Sequence, residues 1–87
     1  MRRNPDFLLQ EVAGTWVVVP VGAATASFSG MINLNGTGAF LWDKLGSEQT
    51  PESLTEALTG EYEVDPAQAR EDVERFLDRL KPTGAIL

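Results

Sequence analysis

At Asn35 the apolar pattern of this chain changes period, and no other feature constrains the fold as strongly. Before it, in FSGMINL (28–34), the residues Phe28, Gly30, Ile32 and Leu34 alternate onto one strand face, leaving Ser29, Met31 and Asn33 on the other. After it, Gly38, Leu41, Trp42 and Leu45 recur at the i, i+3, i+4, i+7 spacing of a helix. Asn35 itself is a good N-cap residue. A strand, a glycine turn and a helix start also describe a phosphate-cradling loop. The third position of a G-x-G-x-x-G pattern is Leu41 here, however, no strand signal follows the helix, and no Lys-Ser/Thr pair is present. The stretch is therefore a structural corner, with Gly36 and Gly38 letting the helix turn away sharply and pack closely.

Everything before the corner predicts strands. FLLQEV (7–12) and TWVVVPV (15–21) are joined by Ala13-Gly14, and the β-branched run Val17-Val18-Val19 suits a strand better than a helix. Pro20 cannot donate to a sheet ladder, so it marks a strand end or an edge. The small residues GAATAS (22–27) predict a loop. Everything after the corner predicts helices. The first should stop near Gly46. The second starts with Thr50 as cap and Pro51 at the first helical position, carries Leu54, Ala57 and Leu58 as its stripe, and weakens at Gly60. Asp65-Pro66 repeats that start signal for the longest helix, PAQAREDVERFLDRLK. At about 100° per residue, Ala69, Val73, Phe76, Leu77 and Leu80 share one arc, bordered by Arg70 and Lys81 on one side and by Asp72 and Arg79 on the other. Pro82 and Gly84 end it, and AIL predicts a short extended tail. Strands grouped before helices give an α+β class.

At 87 residues the chain has room for one small domain, spanning 1–87. It contains no cysteine and no histidine. That excludes disulfide staples, thiolate chemistry, Cys/His zinc sites and histidine-based catalysis. Small secreted domains usually rely on disulfides, so a cytoplasmic location is expected. The net charge of −6 repels a nucleic-acid backbone at long range. The longest apolar stretch, Trp16 to Val21, already includes Pro20 and is too short for a membrane span.

The acids Glu61, Glu63, Asp65, Glu71, Asp72 and Glu74 lack the glycine and terminal glutamate of a calcium loop. Those of the last helix alternate with Arg70, Arg75 and Arg79, which reads as a self-paired solvated face. Trp16 and Trp42 fall at core positions. No serine has a partner base. The expectation is a binding protein with no catalytic residue, metal or cofactor. Its third strand, short and mixed on its outer face, suits an edge able to accept another chain's backbone. If the last helix lies beside that strand, the two form a groove for an extended peptide; that they pack only on each other is an equally open reading of the periodicity.

The stretches NPDFLLQEVAGTWVVVPVG, GMINLNGTGAFLWDKL and LTGEYEVDPAQAREDVERFLDRLK, in this order and spacing, resemble the PqqD-like proteins, named after coenzyme PQQ synthesis protein D. The middle stretch carries the family's strand, Asn-x-Thr-Gly-Ala and Trp-containing helix. The chain departs at GSEQT (46–50), where relatives often have Asp-Gly, and at Pro82. The resemblance implies a winged helix-turn-helix-like fold of three strands and three helices. It also implies a recognition element for ribosomally made, post-translationally modified peptides. In that family a precursor's leader segment adds as a strand to the third β-strand, lies against the third helix, and is presented to a modifying enzyme, often a radical SAM protein. Carried over, the docking edge is Phe28 to Leu34, including Phe28, Ser29, Met31, Ile32, Asn33 and Leu34. The helix wall is Val73 and Leu77, flanked by Arg70 with Arg79 as second choice. Two rival readings are a winged-helix DNA-binding protein, disfavoured by Glu52, Glu56, Glu61 and Glu63, and a scaffold subunit of a larger enzyme.

Overall fold

A computed structural model describes all residues, Met1–Leu87. Three strands, β1 (Phe7–Val12), β2 (Thr15–Pro20) and β3 (Ile32–Leu34), precede three helices, α1 (Gly36–Lys44), α2 (Pro51–Glu61) and α3 (Pro66–Leu80). The fold is α+β. The sheet is antiparallel throughout, in the order β1-β2-β3. The hairpin turns through Ala13 and Gly14, both at positive φ (52° and 79°), the geometry a tight two-residue link requires.

All three α-helices start where their cap residues stand. Asn35 accepts from the Gly38 amide at 2.8 Å. Thr50 and Ser53 form a reciprocal capping box. Asp65 accepts from Ala67 and Gln68, with Pro66 at the first helical position.

One core of 16 buried residues draws on every strand and every α-helix. The predicted α3 stripe, Ala69, Val73, Phe76, Leu77 and Leu80, is buried along its whole length. From the sheet come Phe7, Val18, Ile32 and Leu34, and from α1, its C-cap and α2 come Leu41, Trp42, Leu45, Leu54 and Leu58.

Several expectations need correction. β2 ends at Pro20, before Val21. Residues Gly22–Ala26 form a 3₁₀ turn, not a loop, with Ala24 tucked into the core and the Thr25 hydroxyl donating to the Gly22 carbonyl at 2.7 Å. β3 is only three residues long, because the Phe28 amide still donates to Ala24 and Gly30 takes φ 107° before pairing with β2 begins. Phe28, Ser29 and Met31 therefore lie outside the strand. Trp42 is buried at 2% exposure, but Trp16, opposite Leu34, is 37% exposed and outside the core cluster.

α3 ends one residue short of Lys81, and Lys81–Thr83 continue as a 3₁₀ turn closed by Gly84 at φ 83°. The extended tail finds a partner that periodicity does not reveal. Arg2 and Leu87 exchange backbone hydrogen bonds and the Asn4 amide donates to the Ala85 carbonyl, so the two chain ends pair antiparallel. The amino-terminal stretch also reaches α1: the Arg3 amide donates to the Leu45 carbonyl at 2.8 Å. The N-terminal ammonium pairs with Glu48 and holds that exposed carboxyl below its usual range. No helix is long and apolar enough to cross a membrane.

Candidate functional site

β2 pairs with β3 on one side only, so the far edge of β3 meets no other strand. Beside that edge lies a cleft of about 490 Å³, in the size range of sites that hold small ligands or a few side chains. Asn33, Leu34 and Asn35 form one wall, the first turns of α1 contribute Thr37, Gly38 and Leu41, and α3 supplies Asp72, Arg75, Phe76 and Arg79. The arrangement is an apolar floor with a polar rim. Leu34, Leu41 and Phe76 are buried or nearly so, whereas Asn33, Asn35, Arg75 and Arg79 are exposed.

The Asn35 corner makes this cleft possible. An exposed edge strand, a capped turn and a helix follow within a few residues, so strand and helix present adjacent surfaces to α3. Gly38 belongs to the wall and is itself buried.

The helix wall differs from the expected one. Val73 and Leu77 face into the core, at 0% and 2% exposure. Arg70 lies on the border facing α2, within 3.8 Å of Glu52 and 3.0 Å of Glu74. None of the three lines the cleft. The groove instead takes the opposite border, the one marked in sequence by Asp72 and Arg79. Periodicity identified both borders but carries no signal for which one meets the strand, because that depends on how α3 is rotated over α2. Of the expected strand residues, Asn33 and Leu34 line the cleft and Ile32 is buried beside them in β3. Phe28 packs on Phe7 with ring centroids 6.0 Å apart, Ser29 is exposed, and Met31 stands 59% exposed just ahead of the strand.

Charges on α3 are paired except at Asp78 and Arg79. Arg75 donates to Glu71 at 2.8 Å and lies 3.9 Å from Asp72, and Asp72 accepts from Gln68 at 2.9 Å. Arg79 forms no ion pair and no hydrogen bond. Glu71, Asp72 and Glu74 are thus committed to the helix's own cations, and no group of three acids converges as a metal site.

The family model described as Coenzyme PQQ synthesis protein D (PqqD) matches residues 15–86. No curated protein matches the sequence. Two solved structures share the fold. TbiB1 in complex with the TbiA(beta) leader peptide is 20% identical at a TM-score of 0.74, the match covering 98% of this chain and 93% of that one. A lasso peptide synthetase B1 complexed with the leader peptide is 24% identical at 0.73, with 99% and 95% covered.

Proposed function

This chain belongs to the PqqD family, and on that premise we propose that it binds the leader segment of a ribosomally made precursor peptide without catalysing its modification. The leader adds as a strand to the free edge of β3 at Ile32, Asn33 and Leu34. Its inward side chains settle on Leu34, Leu41 and Phe76, between the rims formed by Asn35, Asp72, Arg75 and Arg79. The bound peptide is presented to a modifying enzyme of the radical SAM class, in the cytoplasm.

One observation carries this reading: an unpaired strand edge stands directly beside a cleft with an apolar floor. Backbone pairing supplies affinity that depends little on sequence, and alternate side-chain pockets supply selectivity. That both structural neighbours were solved with leader peptides supports the same mode. A DNA-binding role is disfavoured by the acids Glu52, Glu56, Glu61 and Glu63 on and beyond α2, and by the net charge of −6.

The test is an amide-shift titration of the labelled protein with leader segments of short precursors encoded beside its gene. Saturable shifts are expected at Ile32–Asn35 and along Asp72–Arg79. A matched leader methylated on successive backbone nitrogens should lose affinity at every second position, because alternate amides point at the partner strand. Shifts confined to other surfaces, or indifference to methylation, would refute strand addition at this edge.

A further inference from the structure

Within the leader-binding reading above, on which this inference rests, the groove has a charge preference of its own. Two cations and one acid, Asp72, line it, and the cations are not equivalent. Arg75 is engaged by Glu71 and Asp72. Arg79 is exposed and forms no ion pair, and the acid of the cleft, Asp72, is held by Arg75 and Gln68. On a chain of net charge −6, an unpaired guanidinium at the rim of an apolar cleft is a distinct electrostatic feature. Its planar fork of donors suits a carboxylate.

We propose that the groove selects extended peptides carrying an aspartate or glutamate over Arg79, two residues from an apolar side chain seated on Phe76 and Leu41. The spacing follows from the two geometries. Side chains on one face of an added strand repeat about every 6.6–6.8 Å. Phe76 and Arg79 are three helical residues apart, a rise of about 4.5 Å, and the long arm of Arg79 spans the remainder. The apolar side chain fixes register, and the acid distinguishes one leader from another with a similar apolar pattern.

A random peptide library displayed against the folded chain tests this directly. Bound peptides should be enriched in Asp or Glu at one position and in an apolar residue two places away. Arg79→Glu should reverse the charged preference to Lys or Arg. Arg79→Met should lower affinity for a selected acidic peptide roughly tenfold or more, and Arg79→Lys should retain the acidic preference. Arg70→Met, on the opposite border, is the control and should leave the selection unchanged. Peptides that shift the groove amides but show no acidic enrichment, or the same enrichment with Arg79→Glu, would overturn the charge preference while leaving leader binding intact. A folded chain that selects no peptide, or only peptides bound elsewhere, would overturn both.

Discussion

Gly38 sits against Leu34 so closely that a Cβ at position 38 would stand 3.2 Å from the Leu34 Cβ and 3.3 Å from the Asn35 side-chain oxygen. Both neighbours matter: Leu34 is a buried residue of β3, and Asn35 caps α1 through the Gly38 amide itself. Gly38→Ala therefore pits helix propensity, worth up to about 1 kcal/mol, against overpacking of about 1–3 kcal/mol. Overpacking should win because neither neighbour is a flexible chain end. The expected result is a net loss of about 1 kcal/mol, a fall in Tm of roughly 4–8 °C, with amide shifts concentrated at Leu34 and Asn35. An unchanged or raised Tm would show that the corner has slack.

Gly60 is the opposite case. It lies within α2, its φ is not positive, and a Cβ there would meet nothing within 4 Å. Gly60→Ala should stabilise the protein by roughly 0.5 kcal/mol, since only helix propensity changes and the site is next to the last helical residue. Chemical denaturation of the pair Gly38→Ala and Gly60→Ala checks the sign of each.

The Arg3 guanidinium donates to the Trp42 carbonyl at 3.0 Å, an acceptor that the end of α1 leaves unpaired, and to the Asp43 carbonyl at 3.4 Å, which also accepts from the Gly46 amide. Arg3→Ala should cost about 1–2 kcal/mol. Hydrogen exchange should then quicken at the last turn of α1 and at residues 85–87, which pair with the same amino-terminal stretch. Faster exchange across the whole molecule, in proportion to global stability alone, would argue against a local capping role.

Much of this architecture is legible in the sequence because it is written locally. Asn35, Thr50-Pro51 and Asp65-Pro66 announce helix starts through bonds made within three residues, and the α3 stripe follows from a period. What is not legible depends on partners distant in the chain. The pairing of residues 2–4 with 85–87 carries no periodic signal, and the shortening of β3 follows from a 3₁₀ turn whose small residues read equally as a loop. Trp16 misleads for a related reason: alternation puts it on the inner face of the sheet, but it lies at the end of the sheet, where its ring stays 37% exposed. The same limit applies at the groove. Sequence marks Arg70 and Arg79 as the two borders of α3, and only the packing of α2 against the Arg70 side leaves the Arg79 side for the cleft.

Phe28 separates structural support from peptide contact. Its ring packs on Phe7 at a tilt of 48° and leans on the core, four residues ahead of β3 and outside the cleft. Phe28→Ala should cost about 2 kcal/mol, below the value for a fully buried phenylalanine because the ring is only half-buried. Its effect on peptide affinity, measured where the variant is still folded, should be small. Asn33→Asp, exposed at the rim, is the complementary variant: it should leave stability within about 0.5 kcal/mol of the parent while adding a negative charge beside the bound strand. Affinity for an acidic peptide should then fall. Were Phe28→Ala to abolish binding with little loss of stability, the docking surface would have to extend over the 3₁₀ turn, beyond the β3 edge and the cleft.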